Sequence, residues 1–328
     1  MLVFRGFRRS VAASTVLTIG NFDGVHRGHQ ALLAHLIATA RGYGLPAAVM
    51  TFEPHPREFF SPDTAPARLS TLREKLEAFA AAGVDEVYAV RFNDAFAAHS
   101  APAFAREVLS DGLHVRHLII GDDFRFGAGR QGDFAFLQAA GRSPDFAGFE
   151  VEAMPTVVQG AERVSSSAIR AALAAGDFAK AETFLGHPYA IAGQVVHGRK
   201  LGRQLGFATA NIRIRHNPPP MQGVFAVQVT VGDNAPLPGV ANLGLRPTIA
   251  QTIAPLLEVH LLDFTGNLYG THLHVAFLHK LRDEMKFADL AALKQQIARD
   301  ALAARTFFSP ALPSESSNSQ NSLSICHG

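Results

Sequence analysis

The run Gly20-Asn21-Phe22-Asp23-Gly24-Val25-His26-Arg27-Gly28-His29 constrains this chain more than any other segment. The apolar stretch Val16 to Ile19 precedes it, and Leu32, Leu33, Leu36 and Ile37 follow at helical spacing. A strand therefore passes through a glycine-rich turn into a helix. The first N–H groups of that helix lack intrahelical partners, and its dipole presents positive charge there. His26 and His29 stand at this N-terminus, where a phosphate binds well. Taken alone, the pair also fits two polar histidines at an exposed helix start.

The same alternation continues through the first half. Val16 to Ile19, Ala47 to Phe52, Glu86 to Val90, Leu118 to Ile120 and Val151 to Met154 read as buried parallel strands. Leu72 to Ala82 and Ala103 to Leu109 read as helices, with Gly83 and Gly112 as their stops. This predicts a doubly wound α/β sheet. Near Gly186-His187-Pro188 the period changes to two: Phe225, Val227, Val229 and Val231 oppose Gln228 and Thr230, and Leu257/Val259/Leu261 and Leu273/Val275/Phe277 repeat the pattern. A small antiparallel barrel is expected, closed by a helix over about Ala288 to Ala304, with Asp289 at its start and an apolar stripe of Leu290, Leu293 and Ile297. The expected divisions are residues 1–186, 187–308 and a disordered Ser- and Asn-rich tail, 309–328.

Thirty basic against 28 acidic residues, net +2, argue against nucleic-acid binding through a broad field. No apolar run reaches the roughly 20 residues needed to span a bilayer, and no signal-peptide order occurs. The single cysteine, Cys326, forms no internal disulfide, so a cytoplasmic protein with no membrane partner is expected, homo-oligomerisation being left open.

In an open parallel sheet, ligands bind outside the carboxyl ends of the strands. Every polar cluster of the first half follows a strand: His26/His29, then Glu53-Pro54-His55-Pro56, then Gly121 to Gly127, then Arg163-Val164-Ser165-Ser166-Ser167-Ala168-Ile169-Arg170. The last joins hydroxyls at a new helix start to an arginine able to fork onto phosphate oxygens, although a serine run there also fits a plain cap. The His-x-Gly-His resembles the nucleotidylyltransferase signature. Together, the Gly20 to His29 segment, Gly121 to Gly127 and the Ser-Ser-Ser-x-Ile-Arg run resemble the adenylyltransferase module of bacterial bifunctional riboflavin kinase/FAD synthetases. The resemblance implies that His26 and His29 bind ATP phosphates and stabilise the charge developing as FMN attacks. It also implies that Gly20, Phe22, Asp23, Gly24, Asp123, Ser166, Ser167 and Arg170 hold the nucleotide. The family usually has Thr at the place of Ser167 and often Asn at that of Asp123, whose carboxylate needs Mg²⁺ or a proton beside phosphates. His55 is either an outer member of the site or a turn histidine fixed between prolines.

In the second half, Gly198 to Asn211 is rich in glycine, and Thr209 and Asn211 point to one side of an extended chain. Their oxygens suit Mg²⁺. A strand edge with two solvated polar groups shows the same pattern. Gly-x-x-x-Gly-x-x-Leu-Gly-Phe-x-Thr-Ala-Asn, Gly223-Val224-Phe225, the stretch from Gly239 to Thr248, Glu258 to Phe264 and Leu281 to Phe287 together resemble the riboflavin kinase module. By that resemblance Thr209 and Asn211 hold Mg²⁺–ATP, and Glu258 is the base that takes the proton from the ribityl hydroxyl of riboflavin. Ala208 stands where the family commonly has Pro, which removes a fixed φ from the metal loop. His260 and Arg282 are candidate neighbours of the site, although an ordinary surface role fits each of them better. The whole implies an enzyme that uses ATP to make FMN from riboflavin and FAD from FMN. The alternatives are an adenylyltransferase for another phosphorylated cofactor precursor and a non-enzymatic flavin or nucleotide sensor.

Overall fold

Thr15–Ile19 (β2) is buried along its whole length, which requires strands on both edges and helices on both faces. Its neighbours are β1 Leu2–Arg5, β3 Ala47–Glu53, β4 Glu86–Arg91, β5 Val115–Gly121 and β6 Glu150–Met154. All are parallel, in the order β1-β4-β3-β2-β5-β6. The order reverses between β2 and β5, so the crevice beyond their carboxyl ends is the switch point of a doubly wound sheet. The sequence did not announce β1, a four-residue edge strand with neither alternation nor a preceding helix. The computed structural model describes residues 1–7, 14–146, 148–197, 206–214, 218–232, 234–247 and 253–309. The glycine-rich stretch 198–205, Thr248 and the tail from residue 310 lie outside the described residues.

On one face of the sheet, α1 (Arg27–Tyr43) buries Leu32, Leu33, Leu36 and Ala40 against Val16, Val49 and Val87. The short α2 is Pro56–Phe60, and α3 is Leu72–Ala82 as expected. Gly83 ends α3 at φ 93°, a left-handed position that glycine occupies without cost. On the other face, α4 (Asp94–Ala97) and α5 (Ala101–Ala103) lead into a π-helical segment, Phe104–Ser110, where an ordinary helix was expected. Asp111, and not Gly112, is its cap. The α6 helix is Phe134–Arg142.

A two-strand hairpin, β7 Val158–Gln159 with β8 Glu162–Arg163, leads to α7 Ser166–Ala175 and α8 Phe178–Leu185. Six antiparallel strands follow: β9 Ala190–Val196, β10 Ala210–Arg213, β11 Gly223–Val231, β12 Leu237–Pro247, β13 Ile253–Leu261 and β14 His272–Arg282. They close into a barrel of order β10-β13-β12-β11-β14-β9. Phe225, Val227, Leu243, Leu257 and Phe277 fill its interior. That interior is continuous with α7 and α8: Ile169, Leu173, Phe178 and Phe184 share its core, and the Phe178 ring stands edge-on to Phe225 at 5.7 Å. A hydrogen bond from the Ala192 N–H to Glu74 Oε1, 3.0 Å, ties β9 back to α3.

The terminal helix, α9, is Leu290–Phe308, with Asp289 accepting from the Ala292 N–H at 2.7 Å. Of the stripe expected to bury it, Leu293 and Ile297 are half-buried. Leu290 is 56% exposed, whereas Ala301 and Ala304 pack on Ala226 and Leu262 of the barrel wall. Small residues let the helix sit close, and Arg282 anchors it by forking onto the buried Asp300 at 2.9 and 2.7 Å. Arg282 thus acts as a clamp.

Candidate active sites

A cavity of about 900 Å³ opens at the switch point, and all four strand-end clusters line it. Gly20, Phe22, Asp23, His26, His29, Asp123, Ser166, Ser167 and Arg170 all reach it. Gly24 lies behind the wall instead, its N–H bonded to Ser70 Oγ at 2.8 Å. The loop holds an uncommon backbone: Phe22, Gly24 and Val25 have φ of 49°, 86° and 39°. Left-handed φ at a bulky and a β-branched residue costs on the order of 1–3 kcal/mol each and is characteristic of functional loops.

His26 is the N-cap of α1, its Nδ1 accepting from the His29 N–H at 3.3 Å. An accepting Nδ1 is unprotonated, so the proton of the neutral ring sits on Nε2 as a donor. Burial lowers the pKa of His26 to about 4, and burial with the neighbouring His26 and Lys75 holds His29 well below the usual histidine range. The two rings stack at 3.6 Å, which two imidazolium cations would resist. Both histidines are therefore neutral near pH 7. Among the described residues, His29 Nδ1 and Asn21 Oδ1 are buried without a protein partner.

Asp23 is the hub beneath them. Only 3% exposed, it accepts from the Leu69 and Ser70 N–H groups at 2.9 and 3.0 Å and pairs with Arg170. Arg170 also donates to the Ala67 carbonyl at 2.6 Å, so much of its guanidinium is already engaged by protein. The three serines divide their tasks: Ser165 caps α7, Ser166 donates to the Asp23 carbonyl at 2.8 Å, and Ser167 is exposed on the cavity wall. Asp123, also on the cavity lining, is ion-paired with Arg163 at 2.6 Å. That cation relieves the repulsion between its carboxylate and a phosphate. His55 caps α2 in a reciprocal box with Glu58, and burial lowers its pKa to about 4.

The sequence patterns did not single out the phenylalanines that line the cavity. Phe52, Phe60, Phe92, Phe96, Phe124 and Phe126 all line the cavity. Phe124 and Phe126 stack at 5.7 Å, and Phe92 stands edge-on to Phe52 and Phe96, also at 5.7 Å. Their signal was local, two Phe within Gly121 to Gly127, but periodicity does not reveal which rings face a cavity.

The second set of residues meets on the barrel's outer wall. Asn211 of β10 is directly opposite Glu258 of β13, and Thr209 immediately precedes β10. Leu257 and Val259 point inward at 0% and 1% exposure, which turns Glu258 outward. Ala208 does not leave the preceding loop untethered: His260 donates through Nδ1 to its carbonyl at 2.9 Å, and Phe207 packs edge-on against that imidazole. Among the described residues no group of three or more His, Cys, Asp or Glu could hold a metal ion unaided.

Residues 8–168 match the family model described as FAD synthetase, and residues 185–308 match the one described as riboflavin kinase, so the class is that of an α/β FAD synthetase module followed by a riboflavin kinase barrel. A bifunctional riboflavin kinase/FMN adenylyltransferase of Escherichia coli K12 is 54% identical over 293 residues, 89% of this chain and 92% of the relative. That of Pseudomonas fluorescens is 52% identical, over 90% and 93% of the two chains. A crystal structure of a Streptococcus pneumoniae protein described as a macrolide-efflux protein superposes with a TM-score of 0.77 at 28% identity, over 93% of this chain and 99% of that one. Among the described residues of this chain no helix is long and apolar enough to cross a membrane. The chain belongs to the bifunctional riboflavin kinase/FMN adenylyltransferase family.

Proposed function

We propose that this chain phosphorylates riboflavin to FMN on the barrel and adenylylates FMN to FAD in the α/β cavity, using one ATP in each reaction, in the cytoplasm. Residues 1–186 carry the second reaction and 187–308 the first. The observation that carries this reading is the mixed lining of the 900 Å³ cavity, which joins hydrogen-bond donors and helix starts to a set of phenylalanine rings. A nucleoside triphosphate needs the first and a planar flavin the second.

For adenylyl transfer, a phosphate oxygen of FMN attacks the α-phosphorus of ATP, the bond to the β-phosphate oxygen breaks, and pyrophosphate leaves. His26 offers its Nε2–H, and neutral His29 lies stacked beside it. Two neutral donors held in place beside developing charge need no reorganisation in the transition state. Ser167 and the free N–H groups at the start of α7 take phosphate oxygens, while Asp23 fixes Arg170 and the 69–70 backbone so that the loop keeps its shape. No covalent intermediate is required.

On the barrel, Glu258 takes the proton of the ribityl hydroxyl as that oxygen attacks the γ-phosphorus and ADP departs. Thr209 and Asn211 supply hard oxygens on one side of the chain, a donor set that fits Mg²⁺ arriving with the nucleotide. Bound there, the ion would neutralise phosphate charge. Purified protein incubated with riboflavin, ATP and Mg²⁺, its flavins separated by chromatography, gives FMN and then FAD. If supplied FMN is adenylylated but riboflavin is left unchanged, the barrel is a binding module and the kinase half of the reading falls.

A further inference from the structure

Gln30, at the end of the first turn of α1, takes no part in the chemistry assigned to the α/β cavity. It is an exposed residue, so packing does not place its side chain; two hydrogen bonds do. Its Nε2 donates to the Val25 carbonyl at 2.9 Å and to the Leu185 carbonyl at 2.7 Å. Both partners are carbonyl oxygens, which only accept, so the amide has one orientation and both of its protons are engaged. Oε1 then lies beside Gly186, 3.3 Å from where a Cβ on that glycine would stand.

Each acceptor has a place in the site. The Val25 carbonyl belongs to the peptide that joins Val25 to His26, and the Gln30 N–H bonds the His26 carbonyl at 2.9 Å, so one residue holds the backbone on both sides of the N-cap histidine. Val25 needs such a hold. It is β-branched and 6% exposed at φ 39°, and a residue in that region stays there only where its surroundings over-determine it. Leu185 is a firm anchor: it ends α8, where carbonyls lack intrahelical partners, and it is 1% exposed within the core that α8 shares with the barrel. The turn is thus tied to a packed core and not only to its own helix.

We propose that Gln30 is a positioning residue for FMN adenylylation, clamping the peptide between Val25 and His26 to the end of α8 so that His26 keeps its Nε2–H toward the reacting phosphates. This rests on the reading of the cavity as the adenylylation site and of His26 as a donor in it. In the full-length protein, Gln30→Met keeps the length of the side chain, removes both donors and lowers kcat for FAD formation from FMN by about 10- to 100-fold, the scale of a slightly misplaced catalytic group. KM for ATP stays within about threefold, because Ser167 and the start of α7 are untouched, and riboflavin phosphorylation stays within about twofold. Gln30→Glu sets a carboxylate against two carbonyls and is at least as slow as Gln30→Met. Combined with His26→Ala, Gln30→Met causes no further loss, since the group it positions is gone. Melting curves on each variant separate a displaced turn from a loosened fold. A Gln30→Met protein with wild-type kcat, equal losses in both reactions with a lowered melting temperature, or losses that add fully in the double variant overturns the role of Gln30 alone. A His26→Ala protein that forms FAD at the wild-type rate overturns the donor assignment beneath it.

Discussion

The two sites of this chain are built by opposite means. The groups of the α/β cavity rest on one another: His26 caps the helix that carries His29, and Asp23 holds Arg170, Leu69 and Ser70. The barrel site is a row on an outer wall, spaced by strand register, over an interior already filled by Phe225, Leu257 and Phe277. In the first, function and stability share the same atoms. In the second they are separated, because Glu258 turns away from the core that holds the barrel closed.

The largest expected effect exploits that separation. Glu258→Gln lowers riboflavin phosphorylation by about 10²- to 10⁴-fold, the usual contribution of a general base. Melting temperature and FMN adenylylation stay unchanged. A melting curve that falls together with the rate would show the wall and the core to be coupled after all. His29→Ala comes next: FAD formation from FMN falls by about 10²- to 10³-fold, as when one preorganised donor is removed, and FMN production is spared. Equal losses in both reactions would point to general misfolding.

Asp23→Asn sharpens the contrast from the other side. Removing one charge of a buried pair costs about 3–5 kcal/mol, so denaturant unfolding shifts markedly as FAD synthesis fails. An Asp23→Asn protein as stable as wild type would reduce Asp23 to a ligand contact. The smallest effect is on acid stability. His26 and His55 are held at about 4 by burial, below the 6.5 of a free histidine. The unfolded chain therefore binds more protons between these values, and stability falls as pH drops from 6.5 toward 4. Replacing both by Asn flattens this slope, as thermal melts across that interval would record; an unaltered slope would place the acid lability elsewhere.

What could be read in advance follows the same division. Strand period, the glycine at Gly83 and the cap at Asp289 are local, and each appeared where the sequence put it. The row of Glu258 and Asn211 depends on a pairing of strands far apart in sequence, so its members were named by resemblance and only the fold aligned them. The Asp23 hub was less legible still. A capping aspartate and a buried hub look alike in one dimension, and Leu69, Ser70 and Arg170 are separated from Asp23 by 46, 47 and 147 positions. On α9 the aliphatic stripe was only part of the answer: Leu293 and Ile297 are half-buried, and the fully buried contact is made by the small Ala301 and Ala304, which an apolar period does not single out.

The core shared by α7, α8 and the barrel bears on how such a chain is inherited. Phe178, Phe184 and Leu185 belong to the amino-terminal half by position and to the barrel by packing. A break near Gly186 would strip an apolar face from both products, so neither half is an independent part that recombination could trade freely. Two reactions that chemistry would allow on separate polypeptides are bound into a single selectable object, and a change that loosens the seam penalises both at once.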